Sequence, residues 1–225
     1  MSMPFYVSPE QVLKDRADYA RKGIAQGRSL VALECERGVL IVADNPSRTL
    51  SKIYEIYDRI AFAAVGMYNE FQMLRVAGVR HADLKGYSYS REDVSARELA
   101  NAYAQTLGQV FTHELKPYEV ELLVAEVGVN GAPNEMYHIL YNGVVVDEQR
   151  FSVLGGQAEQ INEKLKESYT DGIDLAAAVR LGARVLGSDG EALDAEQLEV
   201  ALLDNTRERR AFRKIKNAEL RELLG

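Results

Sequence analysis

The chain has 225 residues, 47% hydrophobic and 27% charged, the composition of a globular domain large enough to bury a core without disulfides. Its net charge of −7 argues against nucleic acid as the main partner, and its single cysteine, Cys35, excludes an internal disulfide and suits a reducing cytoplasm. No apolar run approaches the length of a membrane span, and the start lacks the basic and apolar regions of a signal peptide, so neither a membrane nor secretion is expected.

Ser8-Pro9-Glu10-Gln11 reads as a helix start: Ser8 as the cap, Pro9 at the first helical position, Gln11 closing a capping box. Leu13, Ala17, Ala20 and Ile24 then recur at helical spacing, and Gly27 suits the stop, which predicts a helix over 9–27. That stripe is narrow and made of small residues, so the helix is expected on a surface. The preceding residues 1–8, with Pro4, Phe5 and Tyr6, form an apolar and aromatic tail that reads either as a frayed terminus or as a functional segment.

Four strands are predicted next, over 29–36, 39–44, 50–57 and 60–65, the first two joined by the turn signal Arg37-Gly38. The run Ile60-Ala61-Phe62-Ala63-Ala64-Val65 is apolar throughout, as expected of a strand covered on both faces. Helices follow over 67–82 and from the capping box Ser95-Ala96-Arg97-Glu98 to about 115. Strands are then expected at 119–129, 135–141 and 144–151, the last two flanking the hairpin signal Asn142-Gly143. Helices over 158–169 and 174–187, strands at Leu198–Asp204 and 211–215, and a short helix at Asn217–Leu224 complete the chain.

Runs of strands alternating with runs of helices indicate an α+β fold with largely antiparallel sheets. Strands apolar on both faces require two stacked sheets with helices outside, a four-layer αββα sandwich. No linker divides the chain, so residues 1–225 are expected to form one domain. His81, His113 and His138 lack metal-ligand spacing, and no phosphate-binding glycine motif occurs, so no metal or cofactor is expected. The basic run 207–216 reads as an edge strand guarded by charge rather than as a nucleic-acid site.

The element order resembles the N-terminal-nucleophile hydrolase sandwich, and the motifs resemble those of proteasome α subunits of the bacterial, actinobacterial-type branch. They are Tyr19-Ala20-Arg21, Gly38-Val39-Leu40-Ile41-Val42-Ala43-Asp44, Ser51-Lys52-Ile53, Asp58-Arg59-Ile60 running to Gly66, Lys116-Pro117-Tyr118-Glu119-Val120, and Val153-Leu154-Gly155-Gly156. The catalytic subunits of that family carry an N-terminal threonine. At the matching place, Gly27-Arg28-Ser29-Leu30, Arg28 follows the glycine, and no catalytic residue is assigned. Ser29 is a conceivable substitute nucleophile after processing, but it is displaced by one residue, which turns a strand side chain to the opposite face.

The resemblance implies a non-catalytic subunit. Seven identical copies would form a ring stacked on seven-membered rings of β subunits, in the order alpha, beta, beta, alpha. The ring would template assembly and gate the entry of unfolded polypeptides to the protease chamber. It would also dock a hexameric AAA ATPase that delivers modifier-tagged proteins. Lys52 would receive a C-terminal carboxylate of that ATPase, in a pocket completed by Asp18, Gly27, Gly66 and Met67; read by itself, Lys52 is a snorkelling surface lysine. Met3, Pro4, Phe5, Tyr6, Val7, Ser8, Pro9 and Tyr19 would form the gate. The helix from residue 96 would lie in the core, and its family counterpart also meets the other ring type. No nucleic acid and no membrane is implied, and the location is cytoplasmic.

Overall fold

In the computed structural model, which describes residues 8–47, 49–129, 131–188 and 191–225, the strand-like runs become ten strands in two antiparallel five-stranded sheets. The first sheet holds β1 (Leu30–Cys35), β2 (Gly38–Asp44), β8 (Phe151–Leu154), β9 (Leu198–Asp204) and β10 (Phe212–Lys214), in the order β10-β9-β2-β1-β8. The second runs β3-β4-β5-β6-β7, from β3 (Ile53–Tyr57), β4 (Ile60–Gly66), β5 (Val120–Glu126), β6 (Glu135–Ile139) and β7 (Val145–Glu148).

Alternation along the strands divides the apolar side chains among three cores. Leu30, Ala32, Val39 and Ile41 face Ala61, Ala63, Val65 and Leu123 across the space between the sheets. Val31, Leu33, Leu40 and Val42 turn outward against α4 (Ala158–Ser168), α5 (Leu175–Leu186) and α6 (Asn217–Leu224). Ile60, Phe62, Leu122 and Val124 turn outward against α2 (Tyr68–Ser88) and α3 (Ala96–His113). This is the four-layer αββα sandwich, and β4 is apolar on both faces because both are covered. Helix α1 (Pro9–Ala25) belongs to neither outer layer; it inserts Ala20 and Ile24 into the core between the sheets.

Several sequence expectations shift. The predicted strand over 144–151 is two strands, β7 and β8, which pair in different sheets; the chain breaks at Arg150, whose φ is +72°. Helix α2 runs on to Ser88, past the expected end at 82; residues 83–88 bury no side chain, so this stretch carries no periodic apolar signal. Neither capping box closes. Ser8 and Ser95 accept from the backbone N–H groups of Gln11 and Glu98, but the Gln11 amide turns to Asp15 and the Glu98 carboxylate to Lys85. The stripe of α3 (Leu99, Ala100, Tyr103, Leu107) is core, whereas Met73, Val76, Leu84 and Tyr87 form an exposed apolar stripe along α2. The basic run 207–216 contains β10, at the edge of its sheet as expected.

Candidate functional site

Lys52 lies immediately before β3, not within it, and its main chain already pairs with β4 through Ala64 N–H to Lys52 O at 3.1 Å. Its position is fixed by a residue that the sequence motifs do not include. The Glu199 carboxylate, from strand β9 of the first sheet, accepts from Lys52 N at 2.8 Å, Ile53 N at 3.3 Å and the Asn45 amide at 2.7 Å. The sequence does carry a signal for it: Glu199 is the one charged residue within the apolar run from Leu198 to Leu203.

The Lys52 ammonium does not extend to solvent as a snorkelling lysine would. It donates to the carbonyls of Arg28 at 2.6 Å and Asp44 at 3.1 Å, the main chain flanking the start of β1 and the end of β2. Burial pushes its pKa down to about 8; the Asp44 and Glu199 carboxylates oppose the fall, and the Arg28 guanidinium adds to it. An ammonium has three N–H donors, so among the described residues one remains unspent.

Arg28 lies two residues before the first residue of β1. Its Nη1 donates to both carboxylate oxygens of Asp44, at 2.9 and 3.1 Å. Ser29 faces elsewhere: it is 7% exposed, and its Oγ packs against Gly155, where an added β-carbon would sit 2.9 Å away.

Gly27, Gly66 and Met67 assemble beside this group. A β-carbon on Gly27 would lie 2.7 Å from the Val65 side chain and 3.2 Å from Gly66 N. Gly66 has a φ of +115°, and a β-carbon there would meet Glu119 O at 1.9 Å, so only glycine fits. Met67 follows as the half-exposed residue that opens α2, its N–H bonded to Glu119 O at 2.9 Å. Asp18 sits on α1 with its carboxylate 3.6 Å from Arg21.

Of the gate residues, Ser8 caps α1, Pro9 is its first residue and Tyr19 is half exposed with Lys116 Nζ 5.8 Å from its ring. Met3, Pro4, Phe5, Tyr6 and Val7 lie outside the described residues. Val12, Tyr19, Leu115 and Pro117 line an open groove of about 580 Å³ beside α1.

A second buried cluster has no counterpart in the sequence motifs. His138, on the inner face of β6, lies between Glu121 at 3.5 Å and Glu148 at 3.7 Å. Burial alone would lower its pKa, but the two carboxylates outweigh burial and lift it to about 9. Among the described residues no group of three or more His, Cys, Asp or Glu side chains is arranged to hold a metal, and no helix is long and apolar enough to cross a membrane.

Two stacked five-stranded antiparallel sheets between layers of helices form an α+β sandwich of the N-terminal-nucleophile hydrolase type. A family profile described as "Proteasome subunit" matches residues 24–203, and the chain belongs to that family, in its alpha-type, actinobacterial branch. It is 56% identical to the proteasome subunit alpha of Thermomonospora curvata, over all of this chain and 99% of that protein. To the proteasome subunit alpha of Kineococcus radiotolerans it is 58% identical, again over all of this chain and 99% of the relative. The proteasome subunit alpha of Acidimicrobium ferrooxidans is 56% identical, with 100% and 97% covered.

Proposed function

We propose that the chain is a non-catalytic alpha subunit of the 20S proteasome core, seven copies of which ring the entrance to the protease chamber and dock a hexameric AAA ATPase. The observation that carries the docking role is the Lys52 ammonium: anchored by two carbonyls, with a third N–H unspent among the described residues. A C-terminal carboxylate is the chemistry such a donor receives best, through a charge-assisted hydrogen bond. Gly27 and Gly66 support the reading by allowing the end of α1 and the end of β4 to pack closely, with Gly27 directly before Arg28, and Met67 follows half exposed.

The absence of intrinsic peptidase activity is supported by Arg28 in the nucleophile's place, committed to Asp44, and by the Ser29 oxygen packed on Gly155. The exposed stripe of α2 (Met73, Val76, Leu84, Tyr87) is the apolar surface we assign to the β-subunit ring, beside the solvent face of α3, whose buried stripe lies in the core. Residues 1–8 form the gate, with Tyr19 and the groove beside α1 as its supporting wall. Unfolded polypeptide, tagged by a protein modifier, is the cargo, and the cytoplasm is the site of action.

Lys52→Ala in the assembled four-ring particle tests the docking role. ATPase-stimulated degradation of a folded protein should be lost while the rings still assemble, as seen by electron microscopy. Undiminished degradation would remove Lys52 from the docking site.

A further inference from the structure

The charges around Lys52 are paired in a way that leaves it alone. Asp44 is committed to Arg28 at 2.9 Å, and Glu199 to Lys214 at 2.7 Å. Among the described residues no carboxylate oxygen lies within 4.0 Å of Lys52 Nζ, although Asp44's own carbonyl is 3.1 Å from it. Two matched pairs therefore leave one uncompensated cation, and the site as a whole can neutralise one monoanion.

Arg28 is what keeps Asp44 away. The Asp44 side chain is only 16% exposed, so without a partner its charge would be stranded in poorly solvated surroundings, and the Lys52 ammonium, which donates to Asp44's own carbonyl and feels the Asp44 charge, is a cation it could turn to. Arg28 is more than half exposed and makes its side-chain hydrogen bonds to protein, among the described residues, only through Nη1. We infer that Arg28 is a positioning and selectivity residue of the carboxylate receptor: by holding the Asp44 carboxylate, it keeps the Lys52 ammonium available to an incoming terminal carboxylate. This deepens, and rests on, the docking role given to Lys52.

The inference predicts a pattern that a merely structural role for Arg28 would not produce. In the assembled particle, Arg28→Ala frees Asp44 to turn on Lys52, and binding should weaken. Removing the Asp44 charge in the same chain should restore it. The probe is a fluorescein-labelled peptide of the last seven residues of the cognate ATPase, as free acid and as C-terminal amide, followed by fluorescence anisotropy. Arg28→Ala should weaken the free acid roughly ten-fold with little effect on the amide, and Arg28→Ala/Asp44→Asn should return it to within about two-fold of wild type. Wild-type affinity in Arg28→Ala, or a double variant as weak as the single one, overturns the inference. Lys52→Ala separates the two levels. If it binds the free acid as wild type does, the docking role falls, and this inference with it. If it loses binding while Arg28→Ala does not, only the role of Arg28 falls.

Discussion

Glu199→Ala should destabilise the chain more than any neighbouring surface change, because one carboxylate serves four donors. It accepts from Lys52 N at 2.8 Å, Ile53 N at 3.3 Å, Asn45 Nδ2 at 2.7 Å and Lys214 Nζ at 2.7 Å. Ile53 is fully buried and Asn45 nearly so, so water cannot freely replace the lost acceptor. Each stranded buried donor costs about 1–3 kcal/mol. Asn45 keeps its bond to Leu50 O, and the half-exposed Lys214 pair adds about 0–1 kcal/mol. The loss should come to about 3 kcal/mol, which for a chain of this size lowers Tm by about 6–12 °C. Calorimetry of the isolated subunit, at one fixed concentration because any self-association would be linked to stability, reads the effect. Glu199→Gln should recover about half of it, since one amide oxygen remains to accept but the amide N–H must face a donor. A fall in Tm below about 3 °C for the alanine variant would mean that the Lys52 turn does not depend on this carboxylate.

His138 should make the fold alkali-sensitive. Its folded pKa, about 9, lies above the unfolded value of 6.5. Protonation therefore stabilises the native state fully below about pH 6.5, and that contribution is lost as pH rises through about 9. At about 1.36 kcal/mol per unit the ceiling is about 3 kcal/mol, with ion-pair distances of 3.5 and 3.7 Å favouring a smaller value. Unfolding free energies from urea titrations at about pH 6 and 9.5 should differ by up to that amount in wild type and much less in His138→Gln; equal changes with pH in both would exclude the histidine. Deleting residues 1–8 should raise peptide hydrolysis by the assembled particle several-fold, and an unchanged rate would show that the tail does not close the pore.

The layers of the fold are readable because burial imposes a period. Val31 and Leu33 face one core and Leu30 and Ala32 another, so β1 reads as apolar almost throughout, and the same holds for β2 and β4. The hairpins at Gly38 and Gly143 are readable because both glycines hold φ values, +120° and +85°, that other residues avoid. The break between β7 and β8 has no such mark: Arg150 takes a φ of +72° without being glycine or asparagine, and nothing in Gln149-Arg150 announces a change of sheet.

The candidate site divides the same way. Asp44 and Lys52 are legible because they fall at fixed places in motifs. Their electrostatics are not, because these depend on residues brought together from distant strands. Glu199 reaches Lys52 across 147 positions, and its role follows from the alternation of β9, which turns one polar side chain into the seam between the sheets. His138, Glu121 and Glu148 meet only because β6 lies between β5 and β7, with Leu123 opposite His138 and Met136 opposite Glu148. Arg28 stands out in the sequence for what it replaces. Its bond to Asp44, by contrast, is visible only in the structure, where the Asp44 carboxylate pairs with Arg28 and the Lys52 ammonium turns to main-chain carbonyls.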